Sequence, residues 1–366
     1  MKMKKLLSLV VALGVTVTAF VGCNSKEESK EKYSLTVSGI GGSLNFIPVY
    51  IAEAEGWLQE EGLEIESIMF TNGPVQMESL SSNSWDFGFT GVGGVLSGVI
   101  GYDAINVGSS GSDDGTQYVF ARNDSDIVKA GKGNNSLNAD IYGDETSWKG
   151  VNVLANTGTV LQYLLIKTLS GFNLEPEDVK FTAMDAPTAF SAFKAGEGDV
   201  AILTGASGTF NMLNDKENYT PVSSGTLAGT GLMTNFIANK NSYNDPEKYE
   251  AMKILLKVYF KATEWIQNNP DEAAEYMVDF AEENGINMDT ETVKTYMKAD
   301  QYYSLEEAHR IITTKADGSD LSIMDQRIAD VLDFFIEYGN YRAEDKDAFK
   351  GSSDAKLLIE IFEESK

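Results

Sequence analysis

The stretch Asp86 to Gly94, DFGFTGVGG, is an apolar strand pattern that runs into three glycines. Glycine lets backbone N–H groups approach a ligand with no side chain in the way, so such a loop suits a phosphate or the mouth of another pocket. A dinucleotide fingerprint needs a third glycine in register and an acidic residue about 20 residues on. After Gly91 and Gly93 that glycine position holds Leu96, and the fingerprint is incomplete. A second candidate is Thr157-Gly158-Thr159, which opens the helical pattern VLQYLLIKTLSG. The first N–H groups of a helix have no internal partner and carry the positive end of its dipole, so this terminus can hold an anion without a basic residue. Thr157 or Thr159 could equally serve as an N-cap alone.

Nucleophilic and metal chemistry have little to draw on. Cys23 is the one cysteine and His309 the one histidine. A single histidine excludes a His-rich zinc site, and a Cys–His pair is excluded once Cys23 is acylated. A Ser–His–Asp triad would have to use His309, which lies in SLEEAHRII, a helical pattern far from the glycine-rich loops. The chain has no G-x-x-x-x-G-K-[ST] loop. No catalytic residue, metal or cofactor is expected.

Lys2, Lys4 and Lys5 precede LLSLVVALGVTVTAFVG, an apolar run of signal-peptide length that ends at Gly22-Cys23. This is similar to a bacterial lipoprotein cleavage box, with residues 1–22 removed and Cys23 lipidated. Residues 23–32 then read as a flexible tether without an apolar face, which keeps the body on the outer side of the cytoplasmic membrane. Without the leader the chain carries 26 basic and 55 acidic residues, a formal charge of −29. Such a surface repels nucleic acid, so no nucleic-acid partner is expected.

The elements that must position the loops follow from periodicity. A mature chain of 344 residues predicts two domains. SLTVSGI, LEIESIMF and WDFGFTG read as strands, separated by a helix from Ile47 to Glu61 and a short one over PVQMESLSSN. A second set comprises WKGVNVLA, EDVKFTAM and GDVAILTG, with helices over VLQYLLIKTLSG and APTAFSAFKAG. Strands separated by single helices imply parallel pairing and an α/β fold. Asp86-Phe-Gly-Phe-Thr90-Gly91 is echoed by Asp199-Val-Ala-Ile-Leu-Thr204-Gly205, which suggests two similarly built lobes. In open α/β sheets ligands sit outside the carboxyl ends of the strands, and two such edges face to face make a cleft. From Asn244 onward the pattern is mostly helical.

FIPVYIAEAEGWLQEEGLEIESIMFTNGPVQMESLSSNSWDFGFTGVGG resembles the opening lobe of solute-binding proteins of the nitrate/sulfonate/taurine/bicarbonate type of ABC importer. WKGVNVLANTGTVLQYLL, DVKFTAMDAPTAFSAFKAGEGDVAI and WIQNNPDEAAEYM are similar to later segments of that family, and the likeness covers roughly residues 33 to 300. It implies a two-lobed type II periplasmic-binding-protein fold with a helical C-terminal portion. Residues 33–120 and 231–366 would form lobe 1 and residues 121–230 lobe 2, with crossovers near Tyr118–Arg122 and Gly229–Ala238. DFGFTGVGG then becomes one wall of a solute cleft. The family positions that match here are Ser43 and Leu44, then Thr90, Gly91 and Val92, with Ser110 near the floor. On the facing lobe they are Gly158, Thr159 and Val160, together with Asp185 and Gly205.

The implied function is capture of a small-molecule ligand outside the cell and its delivery to an ABC permease, not catalysis. The pyrimidine synthases of the same superfamily rely on a histidine and a cysteine-rich motif that this mature chain lacks. Two ligand classes stay open. The chain has four arginines, Arg122, Arg310, Arg327 and Arg342, and none lies in the proposed loops, nor does a lysine. One class is a small oxyanion, such as an alkanesulfonate, taurine or nitrate, bound through backbone N–H and hydroxyl groups. The other is a neutral or zwitterionic compound, such as a pyrimidine-like vitamin precursor, with Asp185 pairing to an amine or merely capping its helix. A ligand-sensing lipoprotein is the alternative to transport.

Overall fold

A computed structural model describes residues 32–205, 208–299, 301–350 and 352–366. The leader, Cys23 and the tether up to residue 31 lie outside the described residues. Strand β1 (Tyr33–Ile40) pairs in parallel with β2 (Leu63–Phe70) along its whole length, from Tyr33 opposite Leu63 to Ile40 opposite Phe70. On its other side lies β3 (Phe87–Gly91), also parallel. The helix expected from Ile47 to Glu61 is split in two, Ile47–Ala54 and Trp57–Glu60. Gly56 between them takes φ 75°, a left-handed conformation that ends a helix and that only glycine adopts freely.

The rest of the first sheet draws on distant segments. β4 (Ile105–Ser112) is joined to β3 through β10 (Met233–Ala238), which runs antiparallel to both. The two-residue β11 (Gln301–Tyr302) closes the edge, giving the order β11-β4-β10-β3-β1-β2. The second sheet runs in the order Lys180–Ala183, Asn152–Ala155, Val200–Leu203, Tyr118–Arg122, Tyr219–Ser224. Here β6 (Asn152–Ala155), β7 (Lys180–Ala183) and β8 (Val200–Leu203) are parallel, and β5 (Tyr118–Arg122) is antiparallel to β8 and to β9 (Tyr219–Ser224). Each sheet therefore takes one antiparallel strand beside its third parallel one, the two-lobed type II arrangement. Both β5 and β10 lie wholly within sheets. The chain crosses between lobes just ahead of them, over residues 113–117 and 225–232: the first crossover ends where the expected Tyr118–Arg122 begins, and the second overlaps the start of the expected Gly229–Ala238.

The Asp86/Asp199 echo has a structural reason. Asp86 Oδ2 accepts the Thr36 N–H at 2.8 Å, and the Asp86 N–H donates back to the Thr36 carbonyl at 2.8 Å. Asp199 Oδ2 accepts the Asn152 N–H at 2.8 Å, and its own N–H donates to the Asn152 carbonyl at 2.8 Å. Each acid thus pins the start of the third parallel strand to the first. That fixes register, and with it the height at which the carboxyl ends open toward a ligand.

Beneath β3 and β10 lies an aromatic layer in which Phe89 stacks on Tyr259 at 5.2 Å and Phe236 meets the same ring edge-on at 5.1 Å. The C-terminal helices pack into this first core, through residues such as Leu255, Met277, Leu332 and Leu358. Two rings of the second lobe join them: Tyr163 lies against Phe334 at 4.6 Å and Phe210 against Tyr296 at 4.8 Å. No helix among the described residues is long and apolar enough to cross a membrane.

Candidate functional site

Four helices turn their first residues toward one cavity of about 370 Å3 that both lobes line. Gly73 and Pro74 begin the Gly73–Glu78 helix, Gly93 and Gly94 lie in the first turn of the Val92–Tyr102 helix, Val160 and Leu161 begin the Val160–Ser170 helix, and Ala186 and Pro187 begin the Ala186–Lys194 helix. Three of these termini are capped by a side chain. Asn72 accepts the Val75 N–H, Thr159 accepts the Leu161 N–H, and Asp185 accepts the Thr188 N–H. The Val92 helix is different. Its N-cap is Gly91, which has no side chain to offer, so its first N–H groups face the cavity uncapped.

The two lobes meet closely here. A β-carbon on Gly93 would stand 3.1 Å from the Gly158 carbonyl oxygen and 3.3 Å from Thr159 Cα, both on the facing lobe. One residue along, a β-carbon on Gly94 would collide with Thr90 Oγ1 and come within 3.1 Å of Gly73 Cα, both within its own lobe. GVGG is therefore built for close packing on two sides, and the cavity it walls is not a dinucleotide loop.

Of the residues singled out in the sequence, Ser43, Gly91, Thr159 and Val160 line the cavity. Seven do not. Leu44 and Val92 face the core, and the Leu44 carbonyl accepts the Tyr302 hydroxyl at 2.6 Å. Thr90 is fully buried and turned toward Gly73 and Gly94. Ser110 stands one layer behind the wall and donates to Thr234 Oγ1 at 2.8 Å, and Thr234 is the residue that lines. Gly158 has φ 65° and its N–H donates to Gln162 Oε1 at 2.8 Å, so that donor already has a partner. Asp185 is engaged as an N-cap. Gly205 packs against the Tyr296 ring, while its neighbour Thr204 lines the cavity.

Sequence reasoning missed the residues with the most to offer. Asn45, in the 3-10 turn Leu44–Phe46, lines the cavity at 2% exposure, and neither atom of its amide has a hydrogen-bond partner. Asp113, on the first crossover, is the one lining residue with a charged side chain among the described residues. Its carboxylate accepts from the Thr116 hydroxyl at 2.5 Å and from Gln117 Nε2 at 2.7 Å. Burial pushes its pKa up to about 6; the two hydrogen bonds oppose that rise and the Asp114 charge adds to it. A polar residue wedged between Leu44 and Phe46 was the available signal for Asn45. Asp113 had none, because the strand Ile105–Ser112 before it does not alternate in polarity.

The basic residues sit elsewhere. Arg122 donates to the carbonyls of Phe193, Glu197 and Gly198 and lies over the Phe193 ring. Arg310 pairs with Glu307, and Arg342 with Glu344 and Asp345. His309 stacks on Phe362 at 4.1 Å, within the C-terminal helices. Among the described residues no group of three or more His, Cys, Asp or Glu is placed to hold a metal ion.

Residues 28–281 match the model of the NMT1-like family. A candidate ABC transporter periplasmic binding protein of Brachyspira hyodysenteriae is 24% identical over 314 residues, 85% of this chain and 89% of that one. A candidate aliphatic sulfonates-binding protein of Bacillus subtilis is 23% identical over 311 residues, 81% and 82% of the two chains. Among solved structures, the aliphatic sulphonate binding protein of Escherichia coli aligns at TM-score 0.63 with 16% identity, covering 84% of this chain and 93% of that one. The nitrate-binding protein of Synechocystis aligns at TM-score 0.63 with 12% identity, covering 91% and 89%.

Proposed function

Since the chain belongs to the NMT1-like family, we propose that it is the extracytoplasmic solute-binding component of an ABC importer, capturing a small organic solute between its lobes for delivery to the permease. One observation carries this reading: a cleft at the carboxyl ends of the strands of both lobes, where the uncapped Val92 helix terminus faces the Val160 helix across a close contact that the missing side chain of Gly93 permits. The relatives named for sulfonate and nitrate support an oxyanion as one end of the solute. The oxyanion end would rest on the N–H groups that follow Gly91, with the Ser43 hydroxyl as a further donor. A cavity of about 370 Å3 is at the small end of organic-ligand sites and far larger than a bare nitrate requires.

Lobe closure would turn on the two crossovers, residues 113–117 and 225–232, with lobe 1 assembled from residues 33–112 and 233–366 and lobe 2 from residues 118–224. Anchoring to the membrane through a lipid on Cys23 completes the proposal. A fatty-acid analogue should label the wild-type chain and not Cys23→Ser; equal labelling of both would overturn the anchor.

The binding function is tested by thermal unfolding of the full chain against a broad solute screen of alkanesulfonates, nitrate, carboxylates, amino acids and neutral rings. A ligand present at about 1,000 times its dissociation constant adds roughly 4 kcal/mol, enough to raise the midpoint by several degrees. Absence of a shift with every class of small solute would sink the reading.

A further inference from the structure

The polar groups that face the cavity are unbalanced in a way that restricts the solute. Asn45 is 2% exposed and its amide has neither donor nor acceptor partner in the protein. A buried primary amide left unpaired costs several times what an ordinary hydrogen bond contributes, so a ligand that completes it gains both groups at once. Its Nδ2 side can meet an oxyanion. Its Oδ1 side cannot, because that oxygen needs a donor.

Asp113 makes the same demand more strongly. A carboxylate has about four acceptor positions, and Thr116 and Gln117 occupy two. It is held at the hinge by its neighbourhood: its own N–H donates to the Leu232 carbonyl at 3.2 Å, and Asp114 Oδ1 takes the Leu232 N–H at 2.7 Å and the Thr230 hydroxyl at 2.6 Å. The acid therefore stands where the two crossovers are tied together. Among the described residues no lysine, arginine or histidine lines the cavity to neutralise it. A solute that is an anion and nothing more would face this carboxylate across a weakly polar space and leave Asn45 Oδ1 without a donor.

We propose that the solute bears a protonated or N–H-donating nitrogen, and that Asp113, with Asn45 Oδ1 as the second acceptor, is the residue that selects for it. This rests on the solute-binding reading above and assigns the opposite end of the ligand from the helix termini. A nitrogen at Asp113 would also tie ligand binding to the crossover, since Asp113 and the two residues that hold its carboxylate, Thr116 and Gln117, all lie on it.

Calorimetry on the full chain with matched pairs tests this directly: 2-aminoethanesulfonate against ethanesulfonate, 3-aminopropanoate against propanoate, and aminomethylphosphonate against methylphosphonate. A charge-assisted hydrogen bond gained by one member alone corresponds to an advantage of about tenfold or more. In at least one pair the nitrogen-bearing member should bind more tightly by that factor, and Asp113→Asn should remove the advantage while leaving the nitrogen-free member as tight or tighter. Should that variant fail to fold, the wild-type comparison still decides. A second readout is Asn45→Leu, expected to raise the unfolding midpoint of the ligand-free chain and to weaken the nitrogen-bearing member, a split that a purely structural asparagine would not give. Equal or tighter binding of the nitrogen-free members overturns the proposal and leaves the solute-binding reading intact. Silence across all pairs overturns it too, and the broad solute screen then decides whether that reading also falls.

Discussion

In the first lobe the acid that pins the third strand is surrounded. Asp86 accepts the Thr36 N–H, the Ser242 hydroxyl at 2.6 Å and the Lys248 ammonium at 2.9 Å, and its side chain is 14% exposed. In the second lobe Asp199 makes the same bond to the Asn152 N–H, but it is exposed. The two lobes share a device and differ in how much structure is built on it. Ser242 and Lys248 belong to the C-terminal portion of the chain, so only the first lobe uses its acid to fasten the returning helices as well.

The largest effect should follow from removing that fastening. Asp86→Ala leaves the Thr36 N–H unpaired and Lys248 without its carboxylate, holding only the Ser34 carbonyl at 2.9 Å, in a partly buried place. Breaking a fully buried pair costs about 3–5 kcal/mol, and the one-third exposure of Lys248 brings the expectation to roughly 2–3 kcal/mol. Asp199→Ala should cost about 0.5–1 kcal/mol, the value of one ordinary hydrogen bond. Chemical denaturation of both variants measures the difference; equal losses would mean that the helices do not depend on Asp86.

A smaller effect separates the adjacent glycines of GVGG. Gly94→Ala overpacks the first lobe against Thr90 and Gly73 and should lower stability by about 1–3 kcal/mol. Gly93→Val meets atoms of the second lobe alone, so unfolding of the ligand-free chain should change by less than about 1 kcal/mol. Its cost should appear in binding, as a loss of at least about tenfold when the lobes can no longer close. Undiminished affinity in Gly93→Val would mean that the bound state does not bring Gly93 to Gly158.

These contrasts also mark how far the sequence could be read. Strand–helix alternation, the Asp-strand-Thr-Gly echo and the glycine loop lead to two α/β lobes and a cleft, because periodicity and backbone freedom are local properties. The order of strands within each sheet is not local. The return of Met233–Ala238 between β3 and β4 rests on pairing across more than a hundred residues, and the strand Ile105–Ser112, rich in glycine and serine, carries no alternation to announce it. The same limit applies to the cavity. Gly91 and Thr159 were legible from a turn and a cap. Asn45 and Asp113 matter because of what does not surround them, and a missing partner is a property of the assembled fold.

The last effect is read in protons and belongs to Asp113, which lies on a crossover and serves neither lobe alone. Its pKa rises from an ordinary 3.8 to about 6, chiefly through burial, with the neighbouring Asp114 charge adding to the rise. The opposing crossover, residues 225–232, brings hydroxyl and backbone groups and no charged side chain. Between those two pH values the folded chain holds a proton that the unfolded chain has lost. This group's contribution to stability is therefore fully present below about pH 4 and is lost as pH rises toward 6. A cationic nitrogen reverses the preference, because it favours the carboxylate and drives the proton off. At pH 6 the site is about half protonated, so binding should release about half a proton per ligand, and affinity should fall as the pH drops below 6. Calorimetry in two buffers of different ionisation enthalpy reads that fraction directly. Asp113→Asn should abolish it, and release that persists in the variant would place the titrating group elsewhere in the cleft.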